Sequence, residues 1–347
     1  MTKKTSKQII RALLFLGTII SLYFVPWPIV KAWIAPLPKT IQEQVDKAAD
    51  YGFDGIIVCL NTKGNKSEFY TSGYKNKEQK TPTDPNSLFK IASVGKLYTA
   101  LAITKLVSNE RLSLDKTLAD YFPELVGRIQ NADKITVRMM VQHRSGIPNY
   151  TDTPNFWTNP PKNSEETLNR ILDLPAVFEP NAKYKYSNTN YLLLSNLIEK
   201  ATGKSKFQYI KENILDPLNL KNTFGSNKDV NLDDVMSGYY VGYKEDLKTE
   251  NNGVMLATAE DLSKFIRALN DGSVFKNKKE KDIYASIYKF EHTGLIPGYQ
   301  TIAKYHKDID AVVIQFTNTT NFDGYNWNLS EIMYNRIVKM LKKKNKP

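Results

Sequence analysis

The sequence predicts an α+β fold, in which helices flank an antiparallel sheet and a mainly helical lobe packs beside it. Two strand-like runs, Gly55–Leu60 and Glu68–Thr71, lie early in the chain, and two more, Tyr299–Tyr305 and Ala311–Thr317, lie late. Between them, from residue 93 to about residue 265, the apolar residues have mostly helical spacing. Because one core needs packed layers, we expect the terminal strands to pair into one sheet and the middle to form the second lobe.

Composition narrows the function classes. The chain has 347 residues, of which 41% are hydrophobic, and this is enough for a sizeable core. Its net charge of +12 favours anionic surroundings such as lipid head groups or acidic wall polymers, but no recognisable nucleic-acid motif is present, so no nucleic-acid partner is predicted. The single cysteine, Cys59, excludes an intrachain disulfide, and the three histidines are too dispersed for a zinc motif. We therefore predict no metal and no cofactor, and leave the oligomeric state open.

The N-terminal segment is typical of an export signal. Lysines and an arginine precede an apolar run from Ala12 to Val30, which is long enough to cross a hydrocarbon core of roughly 30 Å. The flank lacks a clean small-x-small cleavage site, so an uncleaved anchor is expected, although cleavage stays open. The predicted organisation is a cytoplasmic basic tail (1–8), a transmembrane signal anchor (9–30), a linker (31–38) and a folded domain (39–347) on the outer side of a bacterial membrane.

Further elements follow from periodicity and turn residues. A helix is predicted over Ile41–Tyr51, a hairpin turn around residues 63–65, and a turn over Thr81–Asn86. The clearest later helices are predicted over Ser93–Val107, Tyr191–Ala201 and Ala259–Leu269, with a closing helix from about residue 329 to residue 341.

Ser93 and Lys96 are the first candidates for chemistry. Residues three apart on a helix share a face, so the Ser93 hydroxyl and the Lys96 amine can meet at the N-terminal end of the predicted helix. A buried lysine with a lowered pKa can accept the proton of a serine hydroxyl and so activate it as a nucleophile. Ser-x-x-Lys alone is a common chance pattern, and its meaning depends on the rest of the chain.

Three further stretches supply that context. Tyr186-Ser187-Asn188 precedes a predicted helix, His292-Thr293-Gly294 opens a late strand, and His143–Pro148 lies between them and the serine. Together with Ser93 they resemble the serine beta-lactamase and penicillin-binding hydrolase superfamily, which has Ser-x-x-Lys, Tyr-x-Asn and Lys-Thr-Gly or His-Thr-Gly in that order. The resemblance covers residues 51 to about 318 and is nearest to the branch of class C beta-lactamases, D-alanyl-D-alanine carboxypeptidases and related esterases.

The resemblance implies a beta-lactamase/transpeptidase-like fold and a catalytic role for each motif. Ser93 would be the acylated nucleophile, Lys96 its proton partner, and Tyr186 a second base and the acid for the leaving group. Asn188 would orient the substrate amide.

On the late strand, the resemblance implies substrate-binding roles. The backbone N–H groups of Leu295 and Ser93 would form the oxyanion hole. His292 and Thr293 would face a substrate carboxylate, with a protonated His292 contributing charge, and Gly294 would allow close approach because it lacks a Cβ.

Three positions depart from the family pattern. Asn181 follows Pro180 where glycine is usual, although asparagine also tolerates a left-handed conformation. Residues 252–258 replace a usual Gly-Gly pair followed by Ser-Thr, and Arg144 stands where threonine is common.

The resulting expectation is an exported, membrane-anchored serine hydrolase that acts through an acyl-enzyme. A D-alanyl-D-alanine carboxypeptidase or related D-peptidase on cell-wall peptides is the leading interpretation. The alternatives are an esterase or class C-like beta-lactamase on the same scaffold and, in a different class, a non-catalytic sensor of wall fragments or beta-lactams. The motifs do not distinguish peptide, ester and beta-lactam substrates.

Overall fold

A computed structural model describes residues 3–62, 65–157, 159–250 and 253–344. The strands in these residues are β1 (Gly55–Thr62), β2 (Glu68–Asn76), β3 (Thr81–Pro82), β4 (Phe89–Lys90), β5 (Thr223–Phe224), β6 (Tyr239–Tyr240), β7 (Leu256–Ala257), β8 (His292–Ile296), β9 (Tyr299–His306), β10 (Ala311–Thr317) and β11 (Thr319–Thr320). The α-helices are α1 (Lys3–Tyr23), α2 (Trp27–Ile34), α3 (Ile41–Val45), α4 (Gly95–Ser108), α5 (Leu118–Tyr121), α6 (Val137–Val141), α7 (Ser164–Asn169), α8 (Asn188–Thr202), α9 (Lys206–Ile210), α10 (Ala259–Asp271), α11 (Lys278–Ile287) and α12 (Asn326–Lys344).

The main sheet has six strands in the order β3-β2-β1-β10-β9-β8. Early strand β1 pairs antiparallel with late strand β10, with Ile56 opposite Thr317, which confirms the predicted pairing of the terminal segments. Two short sheets, β4-β7-β5 and β11-β6, lie outside it. The α+β fold class predicted from the sequence is therefore confirmed.

Side chains that alternate along β1 separate two cores. Ile57 and Cys59 pack into the larger core with the helical lobe, whereas Ile56 and Val58 pack into a second core with α12. A strand buried on both faces reads as a continuous apolar run, which is why β1 and β10 are recognisable in the sequence. The sheet is thus the middle layer, and the helical lobe lies on one face of it.

The predicted helices are present, with shifts at their ends. The helix predicted to begin at Ser93 begins as an α-helix at Gly95, and Ser93 lies in a preceding 3₁₀ turn over Ala92–Val94. The helix predicted over 41–51 is α3 followed by a 3₁₀ helix, Asp46–Tyr51. In the predicted hairpin turn, residues 63 and 64 lie outside the described residues, as does residue 252 of the departure at 252–258.

The N-terminal segment differs from the expected span and linker. The apolar run is divided at Pro26, where α1 has ended and α2 follows. By length and composition alone, Thr5–Tyr23 is a helix able to cross a membrane, and none of it is buried against the described domain.

The predicted linker packs against the domain. Ala32 in α2 is buried in the core beside α12, and the guanidinium of Arg336 in α12 donates hydrogen bonds to the carbonyl oxygens of Ala35 (2.7 Å) and Pro36 (2.7 Å). Arg336 is itself buried, and its Nε donates to Gln44 Oε1 at 2.8 Å. Residues 32–36 are therefore held against the folded unit, because a buried guanidinium needs these acceptors.

Candidate active site

Ser93 lies at a sharp turn between strand β4 and helix α4. The strand is fixed in the core, where Phe89 stacks on Phe316 with ring centroids 4.4 Å apart, and the Ile91 N–H donates to the Met255 carbonyl at 3.0 Å. Ala92 has φ of +49°, a left-handed conformation that is uncommon for a residue with a Cβ. This conformation turns the chain directly before Ser93 and holds the serine at the N-terminal end of α4.

Four of the predicted site residues form one hydrogen-bonded cluster, in which two of them contact the Ser93 hydroxyl. Tyr186 OH donates a hydrogen bond to Ser93 Oγ at 2.7 Å, and Lys96 Nζ lies 3.2 Å from the same oxygen. Lys96 Nζ also donates to Asn188 Oδ1 at 2.8 Å. A serine hydroxyl in contact with an amine and a phenol can pass its proton to one of them, while the other donates a proton to the leaving group.

Burial shifts the pKa values of the two partners in opposite directions. It lowers the pKa of Lys96 to about 7, because the ammonium form loses its hydration. It raises the pKa of Tyr186 to about 12, partly opposed by the hydrogen bond to Ser93. Near neutral pH, Lys96 is therefore available as a base in about half of the molecules, whereas Tyr186 is a neutral phenol.

Asn188 is held by residues that sequence reasoning did not select. Asn188 is the first residue of α8. Its backbone N–H and its side-chain Nδ2 both donate hydrogen bonds to Asn149 Oδ1, at 2.9 and 3.3 Å. Its Nδ2 also lies 3.4 Å from Thr151 Oγ1. Asn149 directly follows the His143–Pro148 stretch, so proximity to that motif was the available signal.

His143 is a second residue that sequence reasoning did not place in the site, although it begins one of the motifs. Its ring stacks on Tyr186 with centroids 4.4 Å apart, and its Nδ1 accepts a hydrogen bond from the Ser187 N–H at 3.2 Å. Burial, followed by the nearby charge of Lys96, lowers the pKa of His143 to about 3. His143 is therefore a neutral ring that fixes the orientation of the Tyr186 phenol.

Strand β8 brings the remaining four predicted residues to the same turn. It is the edge strand of the main sheet, so one row of its N–H groups faces away from any partner strand. A Cβ on Gly294 would lie 2.5 Å from the Ile91 carbonyl oxygen and 3.0 Å from the Ala92 Cβ. The absence of a side chain at Gly294 is what lets Thr293 and Leu295 approach the Ser93 turn.

His292 is buried, which argues against the charged role expected for it. Only 5% of the residue is exposed, its Nδ1 lies 2.5 Å from the Thr293 carbonyl, and its Nε2 lies 3.0 Å from Tyr288 OH. A carbonyl only accepts, so Nδ1 carries the proton and Nε2 accepts from the phenol. Burial and the charge of Lys289 lower the pKa of His292 to about 3. His292 is therefore neutral near pH 7, and it contributes no charge to a carboxylate.

A cavity of about 310 Å³ opens beside Tyr186 and His292. Its other lining residues are Gln142, His143, Tyr184, Ile287, Tyr288 and Lys289. Lys289 is exposed, and Glu291, two residues further on, pairs instead with Lys304 at 3.8 Å. Lys289 therefore places a positive charge at the cavity, whereas His292 is neutral and does not.

The departure at Asn181 preserves the expected turn. Asn181 has φ of +66°, the left-handed conformation that glycine would provide, which confirms that asparagine serves here. The Arg144 Nε donates to Asn181 Oδ1 at 2.6 Å, so two of the three departures are in contact with each other.

Comparison with known proteins agrees with the fold and with the family resemblance. A family model described as Beta-lactamase matches residues 33–287. Penicillin-binding protein 4* of Bacillus subtilis (strain 168) is 25% identical over 316 residues, covering 77% of this chain and 68% of that protein. Protein flp of Staphylococcus aureus (strain MW2) is 28% identical over 195 residues, covering 54% of this chain and 39% of that protein. This chain therefore matches well under half of the Staphylococcus protein.

Among solved structures, D-amino acid amidase from Ochrobactrum anthropi SV3, complexed with L-phenylalanine amide, superposes with a TM-score of 0.76. The sequence identity is 23%, and the match covers 88% of this chain and 98% of the amidase chain. At this identity the likeness concerns the fold.

Proposed function

The chain belongs to the Beta-lactamase family, and on that premise we propose that it cleaves D-amino-acid peptides through an acyl-enzyme on Ser93. A D-alanyl-D-alanine carboxypeptidase or related D-peptidase acting on cell-wall peptides is the preferred activity. The observation that carries the proposal is the double contact of Ser93 Oγ, with Tyr186 OH at 2.7 Å and Lys96 Nζ at 3.2 Å.

Acylation uses the two partners for different proton transfers. As Ser93 Oγ bonds to the substrate carbonyl carbon, its proton passes to the neutral amine of Lys96, which becomes an ammonium. The carbon–nitrogen bond then breaks, and the leaving nitrogen takes the proton of the Tyr186 phenol. With its pKa raised to about 12, Tyr186 enters the cycle protonated and acts first as an acid. The new ammonium stabilises the phenolate, since Lys96 Nζ lies 5.0 Å from the Tyr186 ring centroid.

Deacylation reverses both transfers. A water molecule gives a proton to the Tyr186 phenolate and attacks the ester carbonyl, and the departing Ser93 Oγ recovers its proton from Lys96. Each group returns to its starting form, and the product is the carboxylic acid. The N–H groups of Ser93 and Leu295 are the proposed donors to the oxyanion in both steps, in which one such donor is worth about 10² to 10³ in rate.

For the leaving group, we assign the cavity beside Tyr186. A carboxypeptidase must bind the free carboxylate of the terminal residue, and a neutral His292 does not supply the charge. Lys289 lines the same cavity as His292 and Tyr186, so it is the proposed carboxylate partner. Thr293 and His292 then contribute hydrogen bonds and shape.

A second candidate is an amidase or esterase acting on substrates with an uncharged leaving group. The specific observation in its favour is the neutral, 5%-exposed His292 in place of a charged side chain. The D-amino acid amidase from Ochrobactrum anthropi SV3 shares the fold of this chain, which is compatible with this candidate. Both candidates use the same acyl-enzyme and differ only at the cavity.

The test compares peptides ending in D-Ala-D-Ala with the same peptides ending in D-Ala-D-alaninamide, using nitrocefin and a short-chain nitrophenyl ester as further substrates. If the carboxypeptidase proposal is correct, Lys289→Gln raises KM for the free acid about 10-fold and leaves KM for the amide little changed, since a hydrogen bond to a charged group is lost. Lys289→Arg retains binding of the acid. The matched control is Lys264→Gln, which removes an exposed lysine that pairs with Glu260 on α10. If KM is the same for the free-acid and the amide peptides, and Lys289→Gln changes neither value, the result would favour the amidase.

We propose further that α1 anchors the enzyme with its domain on the outer face of the membrane. The support is the apolar helix Thr5–Tyr23 and the basic residues around its start, because positive charge near a span is retained in the cytoplasm. Full-length protein should fractionate with membranes, and a C-terminal tag should be cleaved by protease added to intact spheroplasts. A tag protected until lysis would contradict the orientation.

A further inference from the structure

A chain of aromatic rings crosses from the helical lobe to the sheet beside the candidate site. We call it the aromatic bridge, and its members are Tyr150, Phe156, Trp157, Phe322 and Tyr240. Successive ring centroids are 5.2, 4.9, 5.8 and 5.2 Å apart. The contact between Trp157 and Phe322 joins two segments that are distant in sequence.

One end of the bridge is continuous with the catalytic residues. The Tyr150 N–H donates to Thr189 Oγ1 at 3.1 Å, directly after Asn188 in α8. The preceding residue, Asn149, holds the Asn188 side chain, with Asn188 Nδ2 lying 3.3 Å from Asn149 Oδ1. This end of the bridge is therefore linked through Asn149 and Asn188 to Lys96, the partner of Ser93.

The other end lies beside the strand that carries the His-Thr-Gly motif. Tyr240 is in β6, which pairs with β11, and Thr320 of β11 accepts a hydrogen bond from the Gly298 N–H at 2.7 Å, in the turn between β8 and β9. Phe322 follows β11 by two residues, and its backbone N–H donates to Tyr240 OH at 3.2 Å. The bridge thus connects the start of α8 with the turn that follows β8.

Two of the five bridge rings, those of Trp157 and Phe322, are open to solvent although they are large and apolar, and the other three are half-buried. Trp157 is 46% exposed and Phe322 is 42% exposed, and neighbouring Val241 and Tyr243 are 50% and 56% exposed. Contiguous exposed apolar surface on a folded domain is a mark of a binding site. Edge-to-face ring contacts such as that between Trp157 and Phe322 are weak enough for a ligand ring to replace them.

We propose that the aromatic bridge binds the acyl side of the substrate and selects an acyl group extended by an apolar, ring-bearing substituent. The inference rests on the proposed function, because a hydrolase needs separate surfaces for the two halves of the scissile bond. The cavity assigned to the leaving group shares no lining residue with the bridge. The bridge therefore remains for the acyl half, and its rings favour flat apolar groups over charged ones.

The test holds the leaving group constant. The substrates are the p-nitroanilides of N-acetyl-D-alanine and N-phenylacetyl-D-alanine, which differ only in the extension of the acyl group. Wild-type enzyme should prefer the phenylacetyl substrate by about 10-fold or more in kcat/KM, the discrimination that an apolar site can supply. In Trp157→Ala and Phe322→Ala that preference should fall to about twofold or less, mainly through KM, and Trp157→Phe should retain most of it.

A matched control is Tyr74→Ala. Tyr74 is 42% exposed, like Phe322. It lies in β2, near the edge of the main sheet that is opposite to edge strand β8. This variant should leave both rates as in wild type. A wild-type enzyme without the preference, or bridge variants that slow both substrates equally, would overturn the inference.

Binding separates this inference from the proposed function. Isothermal titration of Ser93→Ala with N-phenylacetyl-D-alanine and N-acetyl-D-alanine measures the bridge without turnover, and the Trp157→Ala change should weaken only the former. If neither p-nitroanilide is hydrolysed but this binding difference is found, the proposed function fails and the bridge stands as a binding surface. Ser93-dependent hydrolysis without the binding difference would mean that the bridge inference alone is wrong.

Discussion

Replacing Asn188 by aspartate tests whether Lys96 is the base that accepts the serine proton. Asn188 Oδ1 accepts a hydrogen bond from Lys96 Nζ at 2.8 Å, so Asn188→Asp places a carboxylate of nearly the same shape against the amine. A carboxylate favours the ammonium form and opposes the burial that now lowers the pKa of Lys96 to about 7. Two ionisable neighbours, His143 and Tyr186, stay neutral near pH 7 because their pKa values are about 3 and about 12.

The size of the effect follows from the fraction of neutral lysine. In the wild type, about half of Lys96 is neutral at pH 7. An opposite charge within hydrogen-bonding distance raises a pKa by about 1 to 3, which would lower the neutral fraction at pH 7 about 5-fold to 500-fold. Activity depends on the neutral amine, so it rises with pH through the pKa of Lys96. The aspartate variant should therefore be slow at pH 7 and recover much of its rate between about pH 8 and pH 10.

The assay is the pH dependence of kcat/KM for an uncharged ester, measured on wild type, Asn188→Asp and Asn188→Ala. The wild-type profile should have its midpoint near pH 7. The alanine variant loses the same hydrogen bond without adding charge, so its rate should fall but its midpoint should not move to higher pH. An aspartate variant with the wild-type midpoint would show that Lys96 is not the base. A wild-type rate that continues to rise above about pH 9 would instead indicate the Tyr186 phenolate, whose pKa is about 12.

Three further outcomes are expected. Ser93→Ala should abolish both turnover and labelling by a fluorophosphonate probe at unchanged melting temperature, and a labelled peptide carrying another serine would contradict the mechanism. Deleting residues 1–24 should leave a soluble active domain. Deleting residues 1–38 should lower the melting temperature by about 4–10 °C, because Arg336 loses its carbonyl acceptors. Equal melting temperatures for the two deletion variants would refute this. Gly294→Ala should reduce kcat at least about 100-fold, because its Cβ would lie 2.5 Å from the Ile91 carbonyl and displace the oxyanion donors; near-wild-type turnover would exclude that close approach.

The sheet and the catalytic cluster could be predicted because their signals are local or ordered. Strands β1 and β10 are apolar at nearly every position, since both of their faces are covered, and turn residues delimit them. Ser93, Tyr186 and His292 each lie in a short motif, and the order of the motifs along the chain made a weak pattern specific. Neither inference required knowledge of which side chains meet in three dimensions.

Other features depend on contacts that a single sequence does not display. The segment predicted as a linker is held by Arg336, about 300 positions away, and nothing near residues 31–38 indicates a buried guanidinium. The ionisation of His292 depends on its burial and on the nearby charge of Lys289, which lower its pKa to about 3, whereas a solvated histidine with a pKa of about 6.5 is partly protonated near neutral pH. The start of α4 is shifted by two residues because Ala92 adopts a left-handed conformation before it.

Two substitutions relative to the family pattern have a common explanation in the segment that carries the catalytic phenol. Glycine would reach the left-handed conformation after Pro180 without cost, whereas Asn181 adopts it at φ of +66° and gains a side chain that can be held. Arg144 holds it, through Nε to Asn181 Oδ1 at 2.6 Å, and the Asn181 N–H donates a hydrogen bond to the Arg144 carbonyl at 2.8 Å. His143 directly precedes Arg144. Its carbonyl accepts a hydrogen bond from the Lys185 N–H at 3.0 Å, and its ring stacks on Tyr186. The arginine and the asparagine therefore act as a pair that fixes the register of this segment against the His143 ring, and it is this register that brings Tyr186 OH to Ser93 Oγ.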